Sequence, residues 1–231
     1  MKKRAIMLAA AAVLLLGLLS ACGEKDNAPK QKELPLPHSD AGTQFGVDVN
    51  INQTTIDEWL GRDDVAYRDM RMLYDPAEYS AIGGEADLTA TIKGFKVVPY
   101  PLLATLQSLP VANAYAGDKL YEVVWSEDGH VLSAEPLYEE SGLILSELFP
   151  KDKAIFLMCG GGGYANMTKE LLLFLGWDAD KLYNIGANWE YDGSNKEELI
   201  IYSEDAGGKN IIATWRADYA YIDFSKLSKI Q

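Results

Sequence analysis

The chain has 231 residues, 48% of them hydrophobic and 10% aromatic, and a formal charge of -13. That apolar and aromatic content excludes disorder for the body of the chain and suits a single domain with a real core. The acidic balance disfavours nucleic acid, whose binding rests on neutralising phosphates with Lys and Arg. Two histidines, His38 and His130, and two cysteines, Cys22 and Cys159, sit at distant positions without ligand spacing, so neither a metal nor another cofactor is expected.

The chain opens on Lys2-Lys3-Arg4, then an apolar stretch over residues 5–18, then Leu19-Ser20-Ala21-Cys22. A charged start, a short apolar core and small residues before a cut site make a secretory signal, and the stretch is short for a membrane span. A cysteine directly after the small pair resembles the lipobox of bacterial lipoproteins. That resemblance implies that residues 1–21 are removed and that Cys22 carries a diacylglycerol. The protein is then held by lipid at the extracytoplasmic face of a cell membrane. With Cys22 lipidated, Cys159 remains as a free thiol without a disulfide partner. Residues 22–46 are polar, contain Pro29, Pro35 and Pro37, and show no apolar periodicity. They read as a flexible tether, with His38 exposed.

Residues 47–231 read as the folded domain. Residues 54–60 suggest a short helix capped by Thr54 or Thr55, with acids in its first turn. Residues 65–70 read as a strand. Asp75-Pro76 reads as a turn opening a helical turn through Glu78-Tyr79. Residues 97–101 are extended and 102–109 helical. Strands at 120–125 and 130–134 flank Asp128-Gly129, a hairpin signal, within an insert at about 110–140. A short helix follows at 143–149. An apolar run at 154–158 reads as a buried strand, and 166–175 as a helix. Further strands fall at 181–185, 198–202 and 210–215, the last two around Gly207-Gly208 in an extension spanning 190–231. The alternation predicts an α/β fold, a mostly parallel central sheet flanked by helices.

The buried strand leads into Met158-Cys159-Gly160-Gly161-Gly162-Gly163-Tyr164. A cysteine thus ends a strand, and a loop of four glycines turns the chain into a helix. Glycines allow a tight loop whose backbone N–H groups converge, and the helix N-terminus adds partial positive charge. Such a cradle of Gly160, Gly161, Gly162, Gly163 and Tyr164 favours an anionic sulfur, either a thiolate or the terminal sulfur of a persulfide. Cys159 is the candidate nucleophile. The competing reading is a buried, inert cysteine packing as a small apolar side chain.

The order of pieces from about residue 51 to 189 resembles the rhodanese family. Asp69-Met70-Arg71 matches that family's Asp-x-Arg motif at a strand end, and Glu78-Tyr79 its Glu-aromatic pair. Residues 92–99 stand for its Ile-x-Gly-Ala-x-x-x-Pro segment, and residues 155–175 for the strand, cysteine loop and helix. Leu175-Gly176-Trp177 and residues 182–189 match the turn, strand and glycine turn that follow. The resemblance implies a rhodanese-like fold and sulfurtransferase chemistry: Cys159 takes sulfur from a small sulfur-containing donor and passes it to a thiol acceptor. Asp69, Arg71 and Glu78 are expected to be structural groups near the site. The chain departs from the family where arginines commonly stand, since Gly160 follows the cysteine and Tyr164 ends the loop. That departure argues against thiosulfate turnover. It leaves two alternatives: persulfide chemistry with a neutral or thiol-bound donor, or an inactive rhodanese-fold module that binds another envelope protein. A phosphatase needs an arginine to clamp its dianion, which Tyr164 does not supply.

Overall fold

The computed structural model describes residues 32–71, 90–107, 117–198, 202–204, 210–212 and 222–231. Residues 35–231 form one compact unit. Cys22, the signal segment, Glu78-Tyr79, the turn at Asp75-Pro76 and Gly207-Gly208 lie outside the described residues.

The centre is a four-stranded parallel sheet. Its strands are β1 (Val65–Asp69), β3 (Lys96–Val97), β6 (Ala154–Cys159) and β7 (Leu182–Ala187), in the order β3-β1-β6-β7. The chain is therefore α/β with a parallel sheet and flanking helices. β6 is buried on both faces, which explains why it is a continuous apolar run rather than an alternating one. Period two still sorts its side chains. Ile155, Leu157 and Cys159 share one core cluster with Ala165, Met167, Leu171 and Leu172 of helix α3 (Gly163–Phe174). On the other face Phe156 meets Tyr67 and Tyr183 edge to face, with ring centroids 5.6 and 5.0 Å apart.

Three two-stranded antiparallel pairs complete the described strands. β2 (Ala90–Ile92) pairs with β8 (Lys196–Glu198), and β9 (Tyr202–Glu204) with β10 (Asn210–Ile212). β4 (Tyr121–Trp125) pairs with β5 (Val131–Pro136), the expected hairpin. Its turn closes through Ser126 N–H to His130 O at 2.8 Å, and Gly129 takes a φ of +85° there. The hairpin and helix α2 (Ser141–Leu148) pack into the cluster that holds Cys159. The C-terminal segment returns alongside them, with Ile230 N–H bonded to Leu137 O at 3.0 Å.

Several segments differ from their sequence reading; where one strand was expected over 198–202, residue 198 closes β8 and residue 202 opens β9, each with a different partner. Of the helix expected over 102–109 the described residues form a single turn, α1 (Tyr100–Leu103), and 108–109 lie outside them. Pro101 suits its start, but Ala104 then bridges Tyr121 and Thr105 N–H bonds Tyr121 O at 3.2 Å. Pairing with the hairpin strand replaces the next helical turn. Residues 35–46, read as the end of a flexible tether, lie against the domain. Tyr183 Oη donates to Pro35 O at 2.8 Å, Asn184 Nδ2 donates to Phe45 O at 2.8 Å, and Ser39 bridges Asp48. Among the described residues no helix is long and apolar enough to cross a membrane.

Candidate functional site

Cys159 ends β6 opposite Ala187 of β7, and the chain turns through the glycines into α3. Gly162 makes the turn with a φ of +93°, in the left-handed region that costs other residues about 1–2 kcal/mol. Its N–H donates to Cys159 Sγ at 3.0 Å. The amides of Tyr164 and Ala165, in the first turn of α3, lie near enough to the sulfur to pull its pKa down. These belong to the helix-end N–H groups that lack an intrahelical partner, so they bring partial positive charge toward the sulfur.

The cradle is therefore narrower than the glycine run. Gly162 donates to the sulfur, and the amides of Tyr164 and of Ala165, which the sequence did not single out, favour its charged form. Gly160, Gly161 and Gly163 have other neighbours. A Cβ at Gly160 would fall inside the indole of Trp189, far closer than carbon atoms approach. A Cβ at Gly161 would lie 3.5 Å from the same ring, and one at Gly163 3.4 Å from the ring of Phe45. Tyr164 turns its own ring away to stack on Tyr100, centroids 5.8 Å apart.

Cys159 is buried, 3% exposed as a residue. Burial pushes its pKa up, the amides of Ala165, Tyr164 and Gly162 pull it down, and the Asp69 carboxylate pushes it up again. The net direction is upward, so the resting group is a thiol.

Asp69 and Arg71 stand at the end of the adjacent strand, with Asp69 in register with Met158. Both are buried and form a close ion pair, Nη2 to Oδ2 at 2.6 Å. Arg71 Nε bonds both carboxylate oxygens at 3.0 Å, and its Nη2 donates to Ala90 O at 2.7 Å. Thr91 Oγ1 donates to Asp69 Oδ2 at 2.7 Å. The guanidinium is thus held in a buried structural network with Asp69 and Ala90.

The support behind the loop comes from residues that the sequence reading missed. Asn184 Nδ2 donates to Gly162 O at 3.3 Å, and its Oδ1 accepts from Gly186 N–H at 3.0 Å. It spans the register shift between Leu157 and Met158, a bulge beside the site. An asparagine two residues before a glycine, inside an otherwise apolar strand, was the available signal. Val47 and Phe45 pack on Gly162, at 3.7 and 3.6 Å from where a Cβ would stand.

Among the described residues no group of three or more His, Cys, Asp or Glu could hold a metal ion. His130 is exposed and faces Glu170 across 2.9 Å, linking the hairpin turn to α3. No family model, no curated protein and no solved structure matches this chain.

Proposed function

We propose that this is a rhodanese-like protein that carries sulfane sulfur on Cys159, anchored by lipid on Cys22 at the extracytoplasmic face of a bacterial membrane. The observation that carries the reading is the Gly162 N–H donated to Sγ at the head of α3, with the Tyr164 and Ala165 amides also favouring the charged sulfur. Donors fixed before reaction stabilise a charged sulfur without reorganising, and they count for more where water is excluded. The Cys159 thiolate attacks the outer sulfur of a persulfide R–S–SH. The donor's S–S bond breaks, R–S⁻ leaves with the bonding pair, and Cys159 holds –S–SH. An acceptor thiolate R′–S⁻ then takes that sulfur, forming R′–S–SH and releasing the Cys159 thiolate. No net oxidation occurs. With glycine at 160 and tyrosine at 164 the loop offers no cation to a dianionic donor such as thiosulfate, so the donor is a thiol-borne persulfide.

The test is incubation with cysteine persulfide followed by intact mass. Wild type gains one sulfur and Cys159→Ser gains none; equal gain in both, or none in either, rejects the reading. A second reading, an inactive module that binds another envelope protein, is favoured by the burial of the thiol and its upward pKa. It predicts that Cys159→Ala keeps every pulldown partner, while removing the hairpin at Asp128-Gly129 loses them.

A further inference from the structure

We propose that Asn184 is the positioning residue of the Cys159 site: it holds the Gly162 N–H on the sulfur and thereby sets how readily the thiol ionises. This rests on the sulfur-carrier reading for the use of the charged sulfur, and on geometry for the coupling itself. Asn184 stands on β7 opposite Leu157, which lies two residues before Cys159 on β6. It is 1% exposed. A buried amide is costly unless its polar groups are paired, and here both hydrogens and the oxygen are engaged. Nδ2 donates to Phe45 O at 2.8 Å and to Gly162 O at 3.3 Å, and Oδ1 accepts from Gly186 N–H at 3.0 Å.

Strand, helix and sulfur meet at Gly162. It is the N-cap of α3, and its carbonyl accepts from Asn166 N–H at 3.0 Å, the first bond of that helix. Its N–H donates to Cys159 Sγ, also at 3.0 Å. A glycine at a φ of +93° has no side chain of its own to fix its peptide planes. The second bond on its carbonyl, from Asn184, pins the residue to the sheet and so fixes where its N–H points.

The strand is shaped to deliver that bond. Leu157 pairs with Asn184 and Met158 with Gly186, which leaves Ile185 as the extra residue of a bulge. Gly186 then takes a φ of +90° and turns its N–H onto the asparagine oxygen. On its other side the asparagine is held by the N-terminal arm, through Phe45 O and through Asp48 N–H to Asn184 O at 2.7 Å. Leucine has similar bulk and would serve a purely apolar core face. What it lacks is the two donors.

The experiment uses the full chain, with iodoacetamide labelling of Cys159 followed across pH by peptide mass. The midpoint of that profile reads the thiol pKa and does not depend on how open the site is. Asn184→Leu is expected to raise the midpoint, leaving about tenfold less thiolate at a given pH below it, the effect of weakening one hydrogen bond to a charged group. Asp69, the charged group that acts on the thiol, is untouched by this neutral substitution. A residue that only stitches the loop to the sheet lowers the denaturation midpoint and leaves the thiol pKa where it was. An unchanged or lowered thiol pKa in a folded variant therefore overturns the proposal. If Asn184→Leu does not fold, wild type decides by NMR: the Asn184 side-chain amide protons should shift with the same pH midpoint as Cys159 labelling, and no shift overturns the coupling. Sulfur loading from cysteine persulfide is measured in parallel. A raised thiol pKa with no sulfur gained by any protein upholds the positioning role and rejects the carrier reading. Loading of wild type with an unchanged thiol pKa in the variant does the reverse.

Discussion

Each glycine after Cys159 has a different reason to be there, and substitution separates them. Gly160→Ala drives a methyl into the Trp189 ring, so it is expected to cost about 1–3 kcal/mol of stability through overpacking. Gly162→Ala meets only ordinary contacts, near 3.6 Å, but must hold a φ of +93°, which costs about 1–2 kcal/mol. Gly161→Ala meets Trp189 at 3.5 Å and needs no left-handed backbone, so it should be close to neutral. Urea midpoints for the three variants check this order, and equal costs would refute it. The thiol gives a second residue-scale prediction. Its folded pKa is raised, chiefly by burial, above the ordinary thiol value of about 8.5. Labelling of Cys159 should therefore keep rising through that pH instead of levelling off. The unfolded chain loses this proton first, so it binds fewer protons than the folded state above that value. The thiol's contribution to stability is complete below pH ~8.5 and falls as pH rises. Stability measured against pH should show an alkaline decline in wild type that is smaller in Cys159→Ala.

At the scale of elements, the ends of β1 and β6 form one unit. The Asp69–Arg71 pair fixes the strand end beside the cysteine and is itself sealed by Thr91 and Ala90. Removing one partner leaves a buried charge, so Asp69→Asn is expected to cost about 3–5 kcal/mol. Replacing both with Leu and Met of similar bulk should cost much less, because no lone charge remains. Chemical denaturation of the single and double variants reads this coupling. Asp69→Asn should also lower the thiol pKa, since the carboxylate is a like charge to the thiolate. These elements were legible from sequence because local chemistry marks them. An apolar run bounded by turn signals gave β6, and Asp128-Gly129 gave the hairpin. The start of α3 was read at 166 but lies at Gly163, since glycine carries no helix signal and the N-cap is Gly162 rather than a Ser or Asp. The second turn expected after α1 was lost to pairing with Tyr121, a partner that no local window contains.

At the scale of the molecule, the N-terminal arm is part of the site, and this was the least legible feature of all. Its composition says tether, because its partners carry no compositional signature. They are Tyr183 and Asn184, 148 and 139 residues further along from Pro35 and Phe45. Asp48 locks the arm in place: it is buried, and its carboxylate accepts from the N–H groups of His38, Asn50 and Ile51 at 2.5, 2.9 and 2.8 Å. Its own N–H bonds Asn184 O at 2.7 Å, in the strand that supports the glycine loop. Phe45 and Val47 then press on Gly162, whose amide holds the sulfur. Any force or displacement acting on residues 35–46 therefore reaches the cradle through two side chains and one asparagine. Phe45→Ala, at a half-buried ring, should cost ~1 kcal/mol. It should also speed Cys159 labelling, because the loop loses its backing. A chain begun at residue 47 should show both effects more strongly than one begun at residue 35, which keeps the arm. Identical labelling rates and denaturation midpoints for those two chains would mean that the arm merely lies on the domain, and that the sulfur cradle is built from β6, α3 and β7 alone.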